Sequence, residues 1–127
     1  MKKRTFYDPI IVSIFPHLLS LIYLQTYTYS IIIFFSTFSS CLWHFHCENR
    51  NYFFILDYLF ALILTAYEII YTKNMYITIS LNIIVFSINK ITDYLSNNNI
   101  IYYEKGHVIY HLFSSVKTIY ISKNINF

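Results

Sequence analysis

Ser40, His44, Asp57, His107 and His111 have the types and spacing that metal-assisted hydrolysis uses. Ser36, Ser40 and His44 recur every fourth residue, and His107 and His111 are likewise four apart. On helices, each set shares one face. Three neutral imidazoles are suitable zinc ligands and leave the fourth tetrahedral position open, as in catalytic zinc sites. Zinc in such a site lowers the pKa of its water to about 7 and polarises a carbonyl. Asp57 is then placed to hydrogen-bond that water or to fix a histidine tautomer. Ser40, one turn before His44, is placed to support the site or an oxyanion.

The elements that must position these groups are long and apolar. Of 127 residues, 57% are hydrophobic, 21% aromatic and 12% charged, and the mean hydropathy is +0.48. That charged fraction is about half the roughly 25% of ordinary soluble domains, and so apolar a chain does not stay disordered. The net charge of +3 is scattered, apart from Lys2, Lys3 and Arg4, which excludes a nucleic-acid face. Cys41 and Cys47 form neither a disulfide framework nor a paired-cysteine zinc site.

Five apolar segments follow one another at residues 10–24, 29–43, 52–71, 75–91 and 106–121. Asp8 and Pro9 make a helix start before the first, which reads better as a span than as a removable leader. The third has the length of a membrane-spanning helix, about 20 residues. The fourth qualifies only with flanking residues up to Ile91, and the fifth carries Lys117. A polar loop is expected from Asn89 to Lys105. The runs are too long and unbroken for strands of about 5–6 residues. The expectation is an all-α, multi-pass transmembrane bundle of about five helices forming a single domain over 1–127, with membrane lipids as its surroundings.

With five spans, Lys2, Lys3, Arg4, Arg50, Lys90 and Lys105 share one side, against Lys73, Lys117 and Lys123 on the other. The excess places the N-terminus in the cytoplasm. The same count brings His44, Asp57, His107 and His111 to one membrane face.

The pattern Ser40-x-x-x-His44, Asp57 in the next helix and His107-x-x-Tyr110-His111 in the last resembles the CREST superfamily. That group holds alkaline ceramidases, progestin and adiponectin receptors, and post-GPI-attachment phospholipases with their relative myomaker. The resemblance covers Ser40 to His111 and implies a zinc ion, a helical membrane fold and hydrolysis of a lipid amide or ester. Its members have seven helices; this chain would be a shortened form.

Other residues carry plainer expectations. His46 lies on a different face from His44 and has Leu42, not serine, four residues earlier. Glu68 shares a face with Asp57 and fits a polar contact between helices; His17, after Pro16, fits a kink. Ser36, Ser39 and Ser40 allow close helix packing. Tyrosines and phenylalanines fit interfacial belts. The rival reading is a non-catalytic membrane protein whose polar stripes serve helix packing or membrane-fusion-type interactions.

Overall fold

A computed structural model describes residues 3–23, 26–46, 48 and 51–125. Lys2, Leu24, Cys47 and Arg50 of the sequence reading lie outside the described residues. The chain is all-α: α1 (Pro9–Ile14) runs on as a 3₁₀ helix (Phe15–Tyr23), followed by α2 (Tyr27–Phe45), α3 (Tyr52–Tyr71), α4 (Met75–Asn97) and α5 (Tyr103–Ser122). No strand occurs among the described residues. A lone bridge pairs Thr72 with Ile125, and the Lys73 amide donates to the Asn124 carbonyl at 2.8 Å.

Local chemistry sets the boundaries. Asp8 accepts from the Ile10 amide and Pro9 opens α1, a position where the missing N–H costs nothing. Pro16 then removes the donor that the α ladder needs, and the chain tightens into the 3₁₀ helix. Asn51 caps α3 through the Phe53 and Phe54 amides, and Asn74 caps α4 through the Ile77 amide.

α4 outruns its apolar pattern. Helix continues through residues expected to be loop, as far as Asn97, and only five residues connect it to α5. Thr92 is buried, so this polar turn still has a packed face. The Asn98 side chain donates to the Tyr94 carbonyl, and Asn99 takes a left-handed φ of 58° at the stop.

α2 packs along α3, and α4 along α5; α1 and its 3₁₀ extension touch both α2 and α5. α3 and α4 touch each other far less. Gly106 permits a close approach of α4 to α5, since a Cβ there would stand 2.9 Å from the Thr92 Cβ.

The interior is polar and the exterior apolar. Among the described residues, buried polar ones outnumber buried hydrophobic ones, whereas Ile55, Leu59, Leu62 and Ile70 of α3 lie outward. Only Leu64 and Glu68 of α3 are buried. α3 and α4 are long and apolar enough to cross a membrane, with mean hydropathies of 1.9 and 1.4 over their best windows.

Candidate metal centre and cavity

His44 sits in the last turn of α2 and His107 and His111 in the first half of α5. Packing of these elements sets the three rings face to edge, with centroids 4.8–5.4 Å apart. The rings are 0, 6 and 4% exposed in that order. One ligand nitrogen from each falls within 4.8 Å of the others. His44 Nε2 and His111 Nε2 are 3.3 Å apart. Two nitrogens bound to one tetrahedral zinc at 2.0–2.1 Å stand about 3.3 Å apart.

The hydrogen bonds around the rings leave lone pairs for an ion. His44 Nδ1 donates to Glu48 Oε1 at 2.7 Å. A carboxylate only accepts, so the proton stays on Nδ1 and the Nε2 lone pair is directed at the cluster. Neither ring nitrogen of His107 has a hydrogen-bond partner among the described residues. Burying such a group without a partner costs free energy, and a metal bond removes part of that cost.

Glu48 is the residue at the histidine cluster that the sequence reading missed. It follows α2 with a φ of 55°, and that turn brings its carboxylate back over His44, four residues earlier. Arg4 Nε donates to the same Oε1 at 2.6 Å, and its Nη1 reaches Asp8 and Glu104. Burial works to raise the Glu48 carboxyl, but the hydrogen bonds from His44 and Arg4 prevail and hold it at about 2. Burial likewise opposes the Arg4 charge, and its carboxylate partners leave the guanidinium above its ordinary range.

Asp57 and Ser40 stand elsewhere around the site. The Ser40 hydroxyl stands beside the Asp57 carboxylate, and both residues line a cavity of about 470 Å³ together with His107 and His111. The carboxylate that fixes a histidine tautomer is therefore Glu48, while Asp57 faces the space beside the rings. His46 is apart from the cluster, stacked on Phe53 at 4.2 Å. His17, just past the Pro16 break, meets the Ser114 and Ser115 hydroxyls.

Tyr58 and Leu62 of α3 and Phe86 of α4 line the cavity and are also exposed at the outer surface. The cavity thus opens between α3 and α4, which pack on each other far less than α2 does on α3 or α4 on α5. At its other end lies a second polar group. Lys117 Nζ donates to Glu68 Oε2 at 2.7 Å and to Asn82 Oδ1 at 3.0 Å. Tyr29 donates to Glu68 Oε1 at 2.9 Å. Glu68 is thus a polar contact between helices, joining α2, α3, α4 and α5.

No protein-family profile, no curated protein and no solved structure matches the chain.

Proposed function

We propose that the chain is a multi-pass membrane protein that binds zinc through His44, His107 and His111 and hydrolyses a lipid amide or ester. The observation that carries this reading is the convergence of three buried imidazoles, one oriented by Glu48 and one without a hydrogen-bond partner among the described residues. Membrane residence is supported by the apolar exterior of α3 and α4 and by the polar interior. Exposed apolar faces of this extent are costly in water.

Zinc would supply polarisation of the scissile carbonyl and activation of water. The chain's own residues divide the remaining work. His44, His107 and His111 hold the ion, and Glu48 keeps His44 in the binding tautomer. Asp57 accepts the proton of the attacking water and returns it to the leaving amine or alcohol. Ser40 orients the Asp57 carboxylate. The cavity walls hold an apolar chain beside the rings.

The rival packing reading describes other parts of the molecule better. Ser13, Ser20, Ser39 and Ser122 each donate to a carbonyl three residues back in their own helices. Such hydroxyls need no ligand.

The test is the metal content of protein purified in detergent without chelator. About one zinc per chain is expected, and none in the triple variant His44→Ala, His107→Ala, His111→Ala. Metal-free wild type, or unchanged zinc in the triple variant, defeats the site. Recovery of a monodisperse protein in the absence of detergent defeats the membrane reading separately.

A further inference from the structure

The cavity beside the histidines does not end in hydrocarbon. Lys117, Asn82 and Thr65 line it at the far end from His107. Lys117 is 6% exposed. An ammonium has three N–H donors. Glu68 and Asn82 take two of them, and the third has no acceptor among the described residues. The chemistry of the missing acceptor follows from charge. Glu68 already neutralises the ammonium at 2.7 Å, so an anionic ligand would bring an uncompensated charge into a buried site. A neutral oxygen would not.

We propose that Lys117, held in place by Glu68 and Asn82, is a second recognition point, which hydrogen-bonds a hydroxyl or carbonyl oxygen carried by the ligand whose head lies at the histidines. This rests on the metal-centre reading above and adds to it a requirement on the ligand. Both ends belong largely to α5: six residues separate His111 from Lys117, a rise of about 9 Å. Between them Ala61 and Leu64 from α3 and Val85 and Phe86 from α4 share the walls with the neutral polar groups of Ser36, Thr37, Asn89 and Ser114. The fitting ligand therefore has an uncharged spacer with a polar group at each end. A purely hydrocarbon tail would leave the third Lys117 donor without a partner; a correctly placed oxygen satisfies it.

Alkyl hydroxamates of increasing chain length test this, each made with and without a terminal hydroxyl. The hydroxamate head is a zinc chelator, and the tail explores the cavity. Binding to zinc-loaded wild-type protein in detergent is measured by calorimetry. At the chain length that reaches Lys117, the hydroxyl should tighten binding roughly five- to tenfold, with no gain for shorter chains. The gain should vanish in the doubly neutral variant Lys117→Met, Glu68→Met and shrink in Asn82→Leu. Within each variant the hydroxylated hydroxamates are compared with the plain ones of the same length. Should they bind with dependence on the three histidines while the hydroxyl adds nothing at any length, the recognition point is refuted and the metal centre stands. Absence of any histidine-dependent binding removes the metal centre and the inference with it. The wild-type comparison requires no substitution, so a variant that fails to fold does not rescue the proposal.

Discussion

Glu48 Oε1 stands 2.7 Å from His44 Nδ1, reached by a turn of positive φ just beyond the end of α2. A buried histidine ring is thereby fixed in one tautomer by a carboxylate that Arg4 fixes in turn. Partners of this kind tune metal ligands through orientation and basicity, and removing them typically lowers affinity 10- to 100-fold.

Glu48→Ala should therefore weaken zinc binding by roughly 10- to 100-fold without abolishing it. Competition against a chromophoric chelator measures the affinity. Unchanged affinity would show that the carboxylate serves only the Arg4 contact.

Acid should destabilise the metal-free protein through the same carboxylate. Glu48 is held at about 2 when folded, against 4.5 as its ordinary value. The unfolded chain thus takes up the proton first, and the stabilisation is complete above pH 4.5. It is lost as pH falls through the interval down to about 2. Thermal melts in detergent should show the wild type losing more stability across that window than Glu48→Gln. Parallel losses would mean that the carboxylate gains nothing from its partners on folding.

Asp57→Asn should separate turnover from metal content. Asp57 lines the cavity beside Ser40 without being one of the three converging histidines. Zinc per chain should stay near the wild-type value. Hydrolysis of a fluorogenic lipid amide or ester should fall by about 10²- to 10⁴-fold, the usual contribution of a general acid or base. Zinc loss in this variant would place Asp57 among the ligands instead.

Gly106→Ala should disturb the site from outside it. The added methyl would stand 2.9 Å from Thr92 Cβ and 3.1 Å from Ile101 Cδ1, and overpacking of this kind typically costs about 1–3 kcal/mol. His107 is the next residue, so displacement of α5 also moves a ligand. A lower melting temperature and weaker zinc binding are expected together. Relief of both by Thr92→Ala would identify the clash as the cause.

How much of this was readable beforehand depends on where each determinant lies. α3 runs from Tyr52 to Tyr71 as expected because one unbroken apolar run follows a strong cap at Asn51. α4 extends past its apolar pattern because Thr92 buries against α5 around Gly106, a tertiary contact that hydropathy does not register. The 3₁₀ segment follows from Pro16, a visible signal read only as a kink at His17. Fourfold spacing placed His107 with His111, and His44 with Ser40. The role of Glu48 was hidden, although it too is four residues from His44. Its contact depends on a left-handed turn outside the helix and on Arg4, 44 residues away in sequence. Local periodicity carries no trace of either.

The mouth of the cavity between α3 and α4 has a kinetic corollary. It lies between the two helices long and apolar enough to cross a membrane, at Tyr58, Leu62 and Phe86. Under the membrane reading, a substrate arrives by lateral diffusion within the acyl layer and not from the aqueous phase. Turnover in mixed micelles would then obey surface dilution: rate would track the mole fraction of lipid in the micelle, and adding inert detergent at constant bulk substrate would slow the reaction.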